Sequence, residues 1–178
     1  MHEHQNHKAH NDMVLPKTNA KEYAKLLGIL LFLSIAALGP STIAGFDAGE
    51  WMRWLMGGFL IVFGSFKLIG FEMFIIMFPG YDIIAKKYML YAWAFPFFEV
   101  LLGGLYILDL AGLVRDVTTI AITAIGSVGI IRAIRKSGPI QCACLGNIIR
   151  LPLSTVSLLE DVGMLLMALI MLLSTLFL

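Results

Sequence analysis

The chain has two cysteines, Cys142 and Cys144, and a single alanine separates them in the stretch "QCACLG". A C-x-C pair can close only a small, strained disulfide ring, which is easily reduced and so suits thiol–disulfide exchange better than crosslinking. The nearby Arg132, Arg135 and Lys136 would favour the reactive thiolate if they lie close in space. The pair is therefore a candidate catalytic dithiol, with two inert cysteines in an interfacial loop as the alternative.

The same two sulfurs are soft ligands that suit Cu(I) or Zn(II), although two ligands do not complete a structural zinc site. The amino-terminal stretch "MHEHQNHKAHND" adds imidazoles, which can gather around a transition metal with little strain. The candidate metal ligands are Cys142, Cys144, His2, His4, His7 and His10. A copper or zinc site thus stays open beside the redox interpretation, and so does a solvated tail without a function.

Composition places these residues in a membrane protein. Hydrophobic residues make up 59% of the chain, charged residues only 14%, and the mean hydropathy is +0.86, which indicates a lipid bilayer as the surroundings. No basic block indicates nucleic-acid binding. Apolar runs cover residues 24–39, 54–78, 89–110, 117–134 and 157–178. Because backbone groups in lipid must be satisfied internally, we predict an all-α integral membrane helical bundle of about five transmembrane helices. We place a flexible, histidine-rich tail at residues 1–22 and the bundle at residues 23–178.

The basic residues predict the orientation of this bundle. One set of connections carries Lys8, Lys17, Lys21, Lys25, Lys86, Lys87, Arg132, Arg135, Lys136 and Arg150. The opposite connections carry only Arg53 and Arg115, together with several carboxylates. By the positive-inside rule, the amino terminus and the cysteine loop are cytoplasmic and the carboxyl terminus lies outside.

Two charges lie where lipid would make them costly. Lys67 is inside the second apolar run and Glu99 is inside the third, so each should face the bundle interior and they are natural partners. Gly57 and Gly64 share a helical face with Lys67, and Gly103 shares one with Glu99, which would let the two helices approach closely. The pair is either a structural ion pair or part of a transport or relay site.

Three further acidic residues lie in or beside apolar runs. Glu72 and Asp161 are candidate buried polar residues. Glu72 would either face a polar cavity or approach the membrane interface, and Asp161 would favour the positive end of the last helix. Glu160 closes the stretch Ser157–Glu160, "SLLE", which has the capping-box pattern of a helix start. The expectation for Glu160 is therefore structural capping.

These motifs resemble a known family of membrane proteins. The stretch from Arg53 to Lys67, with three glycines before the lysine, resembles a signature of DoxX-like proteins, and Glu99 with Gly103 resembles their E-x-x-x-G helix. The segment "CACLG" and the helix after it are similar to the MauE branch, named for methylamine utilisation. The resemblance covers about residues 50–178. It implies a four-helix core with an added amino-terminal span, a bacterial inner membrane, and a link to methylamine dehydrogenase biogenesis and disulfide partners.

Three functions stay open from the sequence. The first is a redox or assembly factor in which the dithiol works with a thioredoxin-like partner. The second is heavy-metal binding or transport with a metal-chaperone partner, and the third is a structural subunit without chemistry. A second copy of the chain is a further candidate partner. The sequence has no phosphate-binding loop, nucleophile elbow or zincin motif, which argues against an ATP-driven pump or an ordinary hydrolase.

Overall fold

A computed structural model describes residues 20–43, 45–137 and 153–177 of the chain. The helices within these ranges are α1 (Ala20–Ser41), α2 (Ala48–Ile69), α3 (Phe71–Met77), α4 (Met89–Ile107), α5 (Gly112–Ser137) and α6 (Leu153–Phe177), and a 3-10 turn spans Phe78–Gly80. The described ranges contain no β-strand, which confirms the all-α prediction. The two cysteines and the four tail histidines lie outside the described residues.

The second apolar run is interrupted, so the prediction of one continuous helix over residues 54–78 is wrong. Helix α2 begins after Asp47, whose carboxylate accepts hydrogen bonds from the N–H groups of Gly49 and Glu50 at 2.7 and 3.1 Å. It ends at Ile69, because Gly70 leaves the helical conformation with φ −97° and ψ 32°. Helix α3 begins at the next residue, Phe71.

Glu72 of α3 is exposed, contrary to the prediction that it is a buried polar residue. The buried side of α3 continues through Phe74 and Phe78. Glu72 precedes Phe74 by two residues, which on a helix places it roughly on the opposite side.

Helix α2 packs against α4 through glycines on both helices. A Cβ atom added to Gly103 would lie 2.8 Å from the carbonyl oxygen of Gly57, and one added to Gly57 would lie 3.0 Å from that of Gly103. The two backbones therefore touch, as small residues permit at helix contacts in membranes. Helix α1 packs against α2, and α6 packs against α5.

Helix lengths and outer surfaces fit a bilayer. Among the described residues, Ala48–Ile69, Met89–Ile107 and Gly112–Arg135 are long and apolar enough to cross a membrane, and Leu26–Ser41 and Phe71–Gly80 are shorter apolar helices. Large apolar side chains point outward, including Phe32 at 71% exposure and Leu90 at 81%. Such an apolar exterior is typical of lipid contact. The protein is a helical membrane protein, and the count of about five crossings and their orientation stay predictions.

One end of the bundle is closed by aromatic packing. Phe74, Phe78 and Tyr81 form a cluster against which Ile134 of α5 and Leu158 of α6 pack. Exposed basic residues lie near this cluster, and we call this end the basic end after Lys86, Lys87, Arg132 and Arg135. The connection that contains the cysteines leaves α5 and enters α6 at this end.

Candidate functional site

Lys67 and Glu99 meet inside the bundle. The Lys67 Nζ atom donates to both carboxylate oxygens of Glu99, at 2.6 and 2.7 Å, and each residue is only 5% exposed. Gly64 lies one turn before Lys67 and allows this contact, since a Cβ there would be 2.8 Å from Val100 Cγ2 and 3.3 Å from the Pro96 carbonyl oxygen. The close approach of α2 and α4 thus sets the distance between the ammonium and the carboxylate.

A second carboxylate approaches the same ammonium from α6. Glu160 Oε1 lies 3.9 Å from Lys67 Nζ, and Glu160 is buried. Lys67 Nζ also lies 5.3 Å from the centre of the Phe95 ring, within the range of a cation–π contact. Because α6 begins at Leu153, Ser157–Glu160 lies within the helix and the capping prediction for Glu160 is wrong. We call Lys67, Glu99 and Glu160 the Lys67 cluster.

A cavity of about 40 Å³ lies beside the Lys67 cluster, and it has room for a few water molecules. Its charged lining residues are Lys67, Asp82, Glu99, Glu160 and Asp161. Asp161 is half-buried and packs against α5, where a Cβ on Gly126 would lie 2.7 Å from its Oδ2 atom. The cavity lining therefore carries more carboxylates than ammonium groups.

Asp82 connects the cavity with the basic end. Its carboxylate accepts hydrogen bonds from the N–H groups of Ile84 and Ala85 at 2.8 and 2.7 Å, which stabilises the turn after the 3-10 segment. Burial raises the pKa of the Asp82 carboxyl above its ordinary value, and these two hydrogen bonds act in the opposite direction. Asp82 is thus a buried carboxyl group whose charged form is disfavoured by desolvation.

A separate group of charges lies at the other end of α4 and α5. Arg115 donates to Asp116 at 3.1 Å and to Asp109 at 3.2 Å, and its guanidinium lies 4.2 Å from the centre of the Tyr106 ring. Arg53 donates at 3.0 Å to the carbonyl oxygens of Tyr106 and Ile107, which end α4, and lies 3.7 Å from Asp109. We call Arg53, Arg115, Asp109 and Asp116 the Arg115 cluster.

Sequence reasoning missed the hydroxyl groups that face the cavity. Thr119 and Thr123 of α5 are buried and line it, and the Tyr106 hydroxyl donates to Thr119 Oγ1 at 3.2 Å. The signal was present in the sequence, because Asp116, Thr119, Thr123 and Ser127 recur every three or four residues within an apolar run. Such spacing places polar groups on one face of a membrane helix.

The proposed thiol and metal ligands lie elsewhere in the chain. Cys142, Cys144 and the four histidines of the tail fall outside the described residues. Within residues 20–43, 45–137 and 153–177, no group of three or more His, Cys, Asp or Glu side chains is arranged to hold a metal ion. The polar groups that line the cavity beside Lys67 include carboxylates and hydroxyls.

The apolar exterior, the close-packed helices and the buried ion pair define a small helical integral membrane protein. The model of the family described as methylamine utilisation protein MauE matches residues 46–174, which is more than half of the chain. The chain therefore belongs to the MauE family, and the prediction of this family is confirmed. The match takes in α2–α5 and most of α6, and begins after α1. No curated protein and no solved structure matches the chain.

Proposed function

We propose that this MauE-family protein is a membrane redox or assembly factor that exchanges electrons between Cys142–Cys144 and a thioredoxin-like partner. The observation that carries the proposal is the family match, because residues 46–174 include both cysteines and the family is described by methylamine utilisation. The C-x-C spacing supports it, since a strained ring is readily reduced and re-formed.

The surroundings of the dithiol support the same chemistry. Cys142 follows Ser137, the last residue of α5, by five residues in the sequence. Arg132, Arg135, Lys86 and Lys87 are exposed at this basic end. A positive potential near a cysteine favours the thiolate, which is the form that attacks a disulfide.

Dithiol–disulfide exchange between the chain and its partner needs no further oxidant or reductant. One thiolate of the chain attacks a disulfide of the partner, forms a mixed disulfide and releases one partner thiolate. The second cysteine then attacks the mixed disulfide, closes the Cys142–Cys144 bond and releases the second partner thiolate. The chain loses two electrons and the partner disulfide gains them, and the reverse sequence reduces the chain.

Redox titration of the full chain in detergent tests this proposal. Equilibration with dithiothreitol buffers of graded potential, followed by alkylation and mass measurement, should show Cys142 and Cys144 changing together between dithiol and disulfide. Cys142→Ser should trap a mixed disulfide through Cys144 with a disulfide-form thioredoxin, and the double serine variant is the control. A dithiol that stays unchanged at every potential would overturn the proposal.

We also propose that the basic end faces the cytoplasm, which the excess of exposed Lys86, Lys87, Arg132 and Arg135 supports. A membrane-impermeant maleimide should label Cys142 and Cys144 only after cells are permeabilised. Labelling of intact cells to the same extent would place the dithiol on the outer side and would fit an extracytoplasmic partner.

Metal handling is the second candidate, and the observation that favours it is the set of four histidines in the tail in addition to two soft sulfur ligands. Reduced protein titrated anaerobically with Cu(I) or Zn(II) should then bind an ion with a stoichiometry that falls when either cysteine is replaced by serine. Deletion of residues 1–12 separates the contribution of the histidines. Failure of both metal binding and redox cycling would leave a structural subunit as the function.

A further inference from the structure

The buried face of α5 carries a polar stripe that dithiol exchange does not use. Asp116, Thr119, Thr123 and Ser127 are each at most 7% exposed, and they follow one another at intervals of three or four residues. At 1.5 Å per residue the stripe extends about 16 Å along the helix axis. Polar side chains that face the interior of a membrane bundle commonly mark the route of an ion or a proton.

The middle of the stripe opens onto the cavity beside the Lys67 cluster. Thr119 and Thr123 line this cavity together with Glu99, and its volume accommodates a few water molecules. The Ser127 Oγ atom is buried and has no hydrogen-bond partner among the described groups, a situation in which proteins usually hold an ordered water. Hydroxyls, carboxylates and space for water therefore adjoin one another inside the bundle.

At the far end, the stripe reaches a charged and partly exposed group. The Tyr106 hydroxyl donates to Thr119 Oγ1 at 3.2 Å, and the Tyr106 ring lies against Arg115. Arg115 holds Asp116 at 3.1 Å and Asp109 at 3.2 Å, and the side chain of Asp109 is 64% exposed. The polar contacts thus continue from the cavity to the surface at the α4–α5 turn.

At the near end, the cavity reaches the loop before α4. Asp82 lines it and lies in the same loop as the exposed Lys86 and Lys87. Asp161 packs against Gly126 of α5 and lines the same cavity. Polar groups are therefore distributed along the bundle from the basic end to the Arg115 cluster.

We propose that these groups form a proton path through the bundle. A proton enters at Asp116, passes over the hydroxyls of Tyr106, Thr119 and Thr123 into cavity water, and continues through the Lys67 cluster and Asp161 to Asp82. Each group accepts a proton on one side and releases one on the other, so nothing is oxidised or reduced.

Proton uptake by reconstituted full-length protein tests the path. Vesicles of phosphatidylethanolamine and phosphatidylglycerol carry potassium and a pH-sensitive dye, and valinomycin-driven potassium efflux draws protons inward. Wild-type protein should acidify the lumen faster than protein-free vesicles. Thr123→Val should slow acidification about tenfold, a change equivalent to about 1.4 kcal/mol in an activation barrier.

Matched variants separate a proton path from a folding defect. Thr118 Oγ1 bonds its own helix at Val114 O, as Thr123 Oγ1 bonds Thr119 O, but Thr118 does not line the cavity. Thr118→Val should therefore leave the rate unchanged, and Thr123→Ser should restore it because the hydroxyl is kept. Equal slowing by both valine variants, or no uptake above protein-free vesicles, would overturn the proposal.

The proton path is independent of the proposed dithiol function. The double variant Cys142→Ser, Cys144→Ser should abolish redox cycling and keep wild-type proton uptake, because the proposed path uses other side chains. Loss of proton uptake in this variant would contradict a path through the side chains of α5.

Discussion

The Lys67 cluster and the Arg115 cluster are two groups of charges in one bundle, and they differ in how their cations are held. Lys67 has an ammonium 2.6 Å from Glu99 and 3.9 Å from Glu160, beside a cavity. Arg115 is held by two carboxylates and by the Tyr106 ring. A lysine ammonium is a compact charge on a flexible chain, whereas a guanidinium is a rigid fork that fixes several partners.

The Arg115 cluster holds a turn together. Asp109 and Ala111 adopt positive φ angles of 52° and 55°, a region that non-glycine residues rarely enter. Asp109 accepts from Arg115, and Arg53 binds the last carbonyl groups of α4 beside it. The fixed partners of Arg53, Arg115 and Asp109 at a strained turn indicate a structural role for these three residues, whereas carboxylates around a cavity provide groups that can gain and lose protons.

Breaking the Lys67 cluster should have the largest effect on stability. Lys67→Met leaves the Glu99 carboxylate buried without its ammonium, and we expect a loss of about 3–5 kcal/mol in the free energy of unfolding. The double variant Lys67→Met, Glu99→Gln should lose less than the sum of the single changes. Unfolding in detergent measures each value, and additive losses would contradict direct coupling between the two side chains.

A milder change tests the Arg115 cluster. Arg115→Lys keeps the positive charge, but the lysine ammonium cannot contact Asp109, Asp116 and the Tyr106 ring at the same time. We therefore expect a loss of about 1–3 kcal/mol in the free energy of unfolding. The matched control is Arg132→Lys at an exposed position, which should change stability by less than about 0.5 kcal/mol. Equal effects of the two substitutions would argue against the structural role of the cluster.

The helix contact that brings Lys67 to Glu99 can be tested with adjacent glycines. Gly103→Ala places a Cβ 2.8 Å from the Gly57 carbonyl oxygen, so the backbones must separate, at a cost of about 1–3 kcal/mol. No atom lies within 4 Å of a Cβ on Gly104, so Gly104→Ala should be neutral or slightly stabilising. Thermal unfolding in detergent compares the two, and indistinguishable midpoints would contradict the close contact of α2 and α4.

The smallest effect is expected at Glu72. Because this side chain is exposed, Glu72→Gln should change the free energy of unfolding by less than about 0.5 kcal/mol. Glu99→Gln, the same chemical change at a buried ion pair, should destabilise the protein measurably. A loss at Glu72 as large as that at Glu99 would mean that both carboxylates are buried.

Several features of the site followed from local sequence. A charge inside an apolar run must face the protein, so Lys67 and Glu99 could be paired from their positions alone. Glycines on the same faces indicated a close contact, and Gly57 and Gly103 touch through their backbones. The carboxylates were harder to place, because Glu72 lies on the exposed side of α3 and Glu160 lies inside a helix that begins four residues before Ser157.

The sequence by itself determined that this protein is a helical membrane protein of the MauE family, because apolar composition leaves the backbone no other way to satisfy its hydrogen bonds in lipid. Only the tertiary structure decided which polar groups share a cavity. Glu99, Glu160 and Thr123 come from three helices, and their distances depend on how closely those helices pack and how each is rotated. Helical periodicity gives the face of one helix, but packing between helices gives the partner that the face meets.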